Sequence, residues 1–97
     1  MATIAYAPGA LSDLERLADF LVEARPVEAV ETMGLITSAV EMLENHPQVG
    51  RPVESGLREL VISRGKTGYL ALYRYEEHRD RVLVLAIRHQ REAGYLG

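Results

Sequence analysis

The sequence predicts one α+β domain in which a helical hairpin packs on one face of a small, mainly antiparallel sheet. In the second half, three runs rich in β-branched, aliphatic and aromatic residues are separated by short turn-forming segments. This pattern is typical of consecutive antiparallel hairpins. In the first half, two longer segments repeat apolar residues at the helical period. A chain of 97 residues has the size of a single domain.

The elements are predicted in the order β-α-α-β-β-β. Residues 3–7 form a brief apolar first strand that joins the sheet at an edge. The first helix covers residues 10–24, and the second covers 26–44 and ends before Pro47. The acidic residues Asp13, Glu15, Asp19 and Glu23 cover the polar side of the first helix. The buried stripes are predicted at Leu14, Leu17, Ala18 and Leu21, and at Val30, Met33, Ile36, Val40 and Leu43.

Residues 48–56 are predicted to be a loop that leads into the three-stranded meander. Its strands cover residues 57–63, 69–75 and 81–89, and a polar tail follows at 90–97. On the first meander strand, Arg58, Leu60, Ile62 and Arg64 are expected to share the core face, with the arginines at its rims. Tyr69, Tyr73 and Tyr75 are expected to be half-buried strand tyrosines.

Charge divides the chain into two unequal halves. Residues 1–50 hold two basic and eight acidic side chains, a net charge of −6, and residues 51–97 hold nine and six, a net charge of +3. The sheet half is therefore basic and the helical half acidic. The absence of cysteine suits a cytoplasmic protein. The three histidines have no companions at metal-ligand spacing, so no metal and no cofactor is expected. No membrane span is expected either, because no apolar run reaches about 18 residues.

Several short motifs resemble one known family. They are Asp13-Leu14, Gly50-Arg51-Pro52, the segments at 56–60 and 69–74, and the run Ile87 to Arg91. Together with the element order, they resemble the RelE/ParE superfamily of toxins from type II toxin–antitoxin systems. The resemblance implies a growth-arresting toxin that a cognate antitoxin neutralises, of the kind used in plasmid stabilisation.

The superfamily has two branches with different targets. RelE-like members are ribosome-dependent mRNA endonucleases that carry basic residues on the meander, whereas ParE-like members inhibit DNA gyrase. Two of the basic positions are here Leu60 and Leu70. The segment Arg88-His89-Gln90-Arg91, where the chain leaves the last predicted strand and which is here called the strand exit, is similar to the ParE pattern. The resemblance therefore favours a gyrase inhibitor, and no residue is assigned a catalytic role. Because affinity for phosphate grows with the number of cations presented, the acidic helical half predicts that direct nucleic-acid binding is weak or absent.

The strand exit holds the candidate functional residues. Cutting RNA requires a general base, a general acid and cations near the phosphate. If the chain is a nuclease, these are His89, Arg88, Arg91, Arg58 and Tyr95. If it binds a protein target, the predicted contacts are Arg88, His89, Arg91, Arg58 and Arg74. The alternative is that Arg88 and Arg91 are solvated charges at the strand end and that His89 caps the strand or hydrogen-bonds a neighbouring carbonyl. This alternative is favoured over a catalytic role for the three residues.

The antitoxin is predicted to dock an amphipathic helix on apolar side chains that lie off the main helical stripes. These are Leu11, Phe20, Val22, Val27 and Leu35. Alternatively, they complete the core or a homodimer contact. A third hypothesis for the whole chain is a toxin with a decayed toxic surface, retained as antitoxin partner and operon co-regulator.

Overall fold

A computed structural model of the chain describes residues 1–64 and 67–91. The first strand, β1 (Thr3–Tyr6), leads into two helices, α1 (Pro8–Ala24) and α2 (Pro26–Glu41). Four strands follow: β2 (Arg51–Pro52), β3 (Arg58–Arg64), β4 (Thr67–Glu76) and β5 (Arg81–His89). Short 3-10 turns at Met42–Glu44, Glu54–Gly56 and Glu77–Arg79 complete the described part of the chain.

The strands of the described residues form one mixed sheet in the order β1-β5-β4-β3-β2. The meander strands β3, β4 and β5 pair antiparallel, and β1 pairs parallel with β5. β1 is therefore an edge strand, as predicted, and it joins β5 rather than a strand near it in sequence. The α+β fold class and the predicted order of the main elements are confirmed.

Both helices pack on one face of this sheet, α1 mainly over β5 and α2 against β3. The predicted stripes are confirmed at Leu17, Leu21, Ile36, Val40 and Leu43, which are all buried. Leu60 and Ile62 are buried beneath them, as predicted, and Tyr69 and Tyr73 are fully rather than half buried. The sheet contributes Leu60, Ile62, Tyr69, Ala71, Tyr73, Val82, Val84 and Ile87 to this core.

Two helical residues lie opposite to their predicted positions. Val30 was predicted in the buried stripe of α2 but is 86% exposed. It lies six residues before Ile36 and therefore about 120° round the helix from it. Asp13 was predicted on the polar side of α1 but is only 4% exposed. It lies on the buried stripe that Ala10, Leu17 and Leu21 form at helical spacing.

Several element boundaries differ from prediction, and the strands β1, β3 and β4 are shifted by one or two residues. α1 begins at Pro8, because proline fits the first helical position, where no intrahelical N–H bond is lost. α2 ends at Glu41, after which the chain tightens into the 3-10 turn. The predicted loop 48–56 contains the two-residue strand β2, which pairs with the start of β3. No helix in residues 1–64 or 67–91 is both long and apolar enough to cross a bilayer.

Candidate target-binding site

A β-bulge in β5 decides which way the predicted site residues point. Leu72 of β4 pairs with Ala86, but the next residue, Tyr73, pairs with Val84, so β5 carries one extra residue here. Because side chains alternate along a strand, one extra residue exchanges the two faces of β5 beyond it. Val84 and Ile87 both belong to the core, although they are three residues apart.

Beyond the bulge, Arg88 and His89 lie on opposite faces of the sheet. His89 pairs with Tyr69, which is part of the core under the helices. Arg88 pairs with Leu70, whose side chain points to the other face. Arg91 follows in an exposed turn. The single cationic cluster that the sequence predicts at this exit is therefore not formed by these side chains, and Tyr95 lies outside the described residues.

His89 is held at the end of the core by two contacts. Its ring stands edge-on to the ring of Tyr69, with the centroids 5.2 Å apart and the planes at 86°. Its Nδ1 accepts a hydrogen bond of 3.1 Å from the backbone N–H of Arg91. A neutral imidazole whose Nδ1 accepts a bond carries its proton on Nε2. In this arrangement the Nδ1 of His89 is engaged by the backbone of the strand exit.

Arg88 folds back along the strand end. Its Nη1 donates to the carbonyl oxygens of His89 and Gln90, at 3.1 and 3.2 Å. The Gln90 N–H donates in turn to the carbonyl of Gly68 at 2.9 Å, so the chain stays attached to β4 one residue past β5. The guanidinium therefore helps to fix the path of the exit, in addition to placing positive charge there.

The face of the sheet opposite the helices, here called the distal face, has an apolar centre. Cross-strand pairing places Val61, Leu70, Leu72, Leu83 and Ala86 together on it. Arg74 and Arg88 lie on the same face, and Arg74 is exposed. Two further arginines there have carboxylate partners: Arg51 pairs with Glu59, and Arg81 pairs with Glu76. Among the described residues, the distal face thus combines leucine and valine with four arginines, two of which are paired with carboxylates.

Arg58 lies on the helix side of the sheet and holds the loop before β2. Its Nη1 donates to the carbonyls of Gln48 and Gly50, at 2.9 and 2.8 Å. The N–H of Gly50 donates to the hydroxyl of Tyr73 at 2.9 Å. Tyr73 is fully buried, and burial raises the pKa of its hydroxyl. Arg58 therefore has a structural task, and contact with a target remains a prediction for it.

Asp13 is a residue that the sequence analysis placed on the wrong side of its helix. Its Oδ2 accepts a hydrogen bond of 2.8 Å from the backbone N–H of Ile87, 74 residues away. Arg16, one turn later, reaches the other carboxylate oxygen at 3.6 Å and the Ile87 carbonyl at 3.5 Å. The available signal was the spacing of Asp13 from Ala10, Leu17 and Leu21, which puts it on the buried stripe.

Several exposed apolar side chains lie on the helical hairpin. Leu11, Phe20, Val22 and Val27 are more than half exposed, and Val30 belongs with them. Val27 and Val30 are three residues apart at the start of α2 and are the most exposed of the set, at 95% and 86%. Leu35 differs from the prediction, because it packs against the core. Residues 1–64 and 67–91 contain no group of three side chains suited to hold a metal ion.

The arrangement has close counterparts among known proteins. The family model described as ParE toxin of type II toxin-antitoxin system, parDE, matches residues 4–94. Toxin RelE3 of Caulobacter vibrioides is 35% identical over 92 residues, which cover 95% of this chain and 98% of that protein.

Solved structures repeat the fold. The chromosomal ParDE toxin–antitoxin structure from P. aeruginosa superimposes with a TM-score of 0.75 at 25% identity, over 92% of this chain and 96% of that one. The E. coli RelBE toxin–antitoxin complex has the same fold, with a TM-score of 0.66 at 10% identity, over 95% of this chain and all of that one.

A helical hairpin on a small mixed sheet, with these relatives, defines a toxin of a type II toxin–antitoxin system within the RelE/ParE superfamily. More narrowly, the chain belongs to the ParE toxin family.

Proposed function

We propose that this toxin acts by binding a protein, DNA gyrase, and not by cutting RNA. The observation that carries the proposal is the apolar distal face. A ribosome-dependent nuclease needs several cations around the scissile phosphate, because charge accumulates there in the transition state. Here Leu70 stands beside Arg88 on that face, and Leu60 lies in the core. Affinity for phosphate grows with the number of cations presented, and two of the four arginines described on this face are paired with carboxylates.

The state of His89 supports the same conclusion. A nuclease of this kind needs one group that removes the 2′-OH proton and another that protonates the leaving oxygen. The Nδ1 of His89 accepts the Arg91 N–H, and its ring packs on Tyr69, so the residue behaves as a strand-end anchor. Arg88 and Arg74 on the distal face and Arg91 in the exposed turn are then contacts with the target. His89 holds the strand end and Arg58 holds the adjoining loop.

A supercoiling assay with purified toxin, gyrase and ATP tests the proposal. The toxin is expected to inhibit supercoiling while a cell-free translation reaction with the same toxin continues. Intact gyrase activity together with mRNA cleaved on the ribosome would establish the RelE-like alternative, which the name of the Caulobacter vibrioides relative keeps open. Intact gyrase activity and intact translation together would support the hypothesis of a decayed toxic surface.

A pair of double variants tests the strand exit. His89→Ala with Arg91→Ala is expected to abolish growth arrest while the far-ultraviolet circular dichroism stays that of the wild type. The matched control is His46→Ala with Arg25→Ala, because both residues are exposed and lie away from the sheet. Growth arrest by the first double variant at the wild-type level would remove His89 and Arg91 from the site.

The proposal includes a cognate antitoxin in the cytoplasm, as in the ParDE and RelBE systems. The helical hairpin exposes valines and a phenylalanine and carries a net negative charge. An amphipathic segment of the antitoxin with basic residues beside its apolar face would complement this surface. Val27→Asp is expected to weaken capture of the toxin by its antitoxin in a pull-down, since it places a charge in this apolar patch. Val61→Asp on the distal face is the control, and equal capture of both variants would place the antitoxin elsewhere.

A further inference from the structure

One edge of β5 loses its neighbouring strand just before the candidate site. The parallel pairing with β1 ends at Tyr6 and Val84, and the Ala7 N–H makes a last bond to the Val84 carbonyl at 2.8 Å. Pro8 then turns the chain into α1. Beyond Val84, this edge of β5 has no strand partner among the described residues. Backbone groups at such an edge need other partners when they are buried.

The side chains of α1 replace the missing strand. Asp13 accepts the Ile87 N–H at 2.8 Å, and Arg16 approaches the Ile87 carbonyl at 3.5 Å. The two side chains are 3.6 Å apart, so each also holds the other in place. Ile87 itself is fully buried. One residue of β5 thus has both of its outward backbone groups engaged by a helical Asp–Arg pair, here called the edge clamp.

We infer that the edge clamp is a positioning device for the target-binding exit of β5. Ile87 immediately precedes Arg88 and His89, which leave the sheet on opposite faces. The bulge before Ala86 already weakens the attachment of this part of β5, because its extra residue interrupts the regular ladder of hydrogen bonds between β4 and β5. Without the clamp, β4 is the only element of the described residues that pairs with the backbone of β5 beyond the bulge. This inference rests on the proposed function, in which the exit contacts gyrase.

The first measurement needs no target protein. Asp13→Ala removes the acceptor, and hydrogen exchange of the Ile87 amide is expected to accelerate roughly ten- to a hundredfold, since a buried N–H loses its partner. Asp13→Asn keeps an oxygen that can accept, so its exchange is expected to stay near that of the wild type. Asp19→Ala, exposed on the same helix, is the control. An Ile87 amide that exchanges at the wild-type rate in Asp13→Ala would overturn the clamp.

The second measurement links the clamp to activity. At a temperature where every variant remains folded, Asp13→Ala is expected to need about tenfold more toxin for half-inhibition of supercoiling, and Asp13→Asn to recover most of the loss. Ile36→Ala, which creates a cavity in the core away from the exit, controls for general destabilisation. If Ile36→Ala loses as much inhibition as Asp13→Ala, the clamp has only a structural role.

The two measurements separate failure of the inference from failure of the proposed function. A wild-type toxin that leaves gyrase untouched refutes the proposed target, and it refutes the exit-positioning inference with it. The exchange rate of the Ile87 amide then still decides whether Asp13 clamps the strand edge. Normal exchange in Asp13→Ala combined with a toxin that does inhibit gyrase refutes the clamp and leaves the proposed function standing.

Discussion

Gly50 lies where a side chain has no room, and the change Gly50→Ala tests how tightly the loop before β2 is held. A Cβ at this position would stand 2.7 Å from both Cε1 and the hydroxyl oxygen of Tyr73, and 3.0 Å from the carbonyl oxygen of Glu59. Tyr73 is fully buried and bonded to the Gly50 N–H, so its ring has no free space to move into. Either the ring or the loop must shift.

The size of the effect follows from these contacts. Overpacking by one methyl group destabilises by about 1–3 kcal/mol, and a strained or broken Gly50–Tyr73 hydrogen bond adds about 0.5–1.5 kcal/mol. We expect Gly50→Ala to lower the free energy of unfolding by about 2–4 kcal/mol. For a domain of this size, this corresponds to a fall in Tm of roughly 10–20 °C. Thermal unfolding followed by circular dichroism measures it.

The same substitution at Gly34 is the matched control. Gly34 lies inside α2, and a Cβ there meets nothing within 4 Å. Alanine is a better helix former than glycine by roughly 0.5–1 kcal/mol, so Gly34→Ala is expected to raise Tm by a few degrees. Two glycine-to-alanine changes should thus have opposite signs. A Gly50→Ala protein as stable as the wild type would refute the packing described for Tyr73 and this loop.

Two further predictions concern the same region. Arg58→Ala removes both hydrogen bonds to the Gln48 and Gly50 carbonyls, and urea unfolding is expected to show that the free energy of unfolding falls by about 1–3 kcal/mol. Arg74→Ala, at an exposed position, is the control and should change the free energy of unfolding by no more than about 0.5 kcal/mol. Equal losses in the two variants would contradict the structural role of Arg58. Because burial raises the pKa of Tyr73 above its unfolded value of 10.0, the stability that its neutral hydroxyl provides is complete below that value and is lost as pH rises through the folded pKa. The Tm of Tyr73→Phe should therefore fall less steeply at alkaline pH than that of the wild type, and parallel curves would exclude Tyr73 as a source of the loss.

The periodicity of the sequence was sufficient to predict the helices and the meander. Apolar residues at helical spacing identified Leu17, Ile36 and Val40 correctly, because these side chains dominate the core. The same reasoning failed at Val30, where an apolar residue lies on the exposed side of α2. Periodicity records which residues are apolar, and the direction of a stripe is fixed only by the element against which the helix packs.

The candidate site was harder to predict because it depends on a single extra residue. The sequence run Arg88-His89-Gln90-Arg91 looks like one cluster, and only the bulge before it shows that Arg88 and His89 leave the sheet on opposite faces. No composition signal marks the bulge. Asp13 was missed for a related reason, since a carboxylate on a helix is normally solvated. Its burial is compensated by the backbone N–H of a strand more than seventy residues later.

The position of β5 between β1 and β4 has a consequence for synthesis of the protein. β5 is the last strand of the described residues, yet both β1, the first strand, and β4 bond to it. While the ribosome is still making residues 81–89, β1 has no strand to pair with, and the strand on which α1 packs is missing. A nascent chain that stops before β5 therefore cannot form this sheet, and the candidate site arises only after residues 81–89 have left the ribosome.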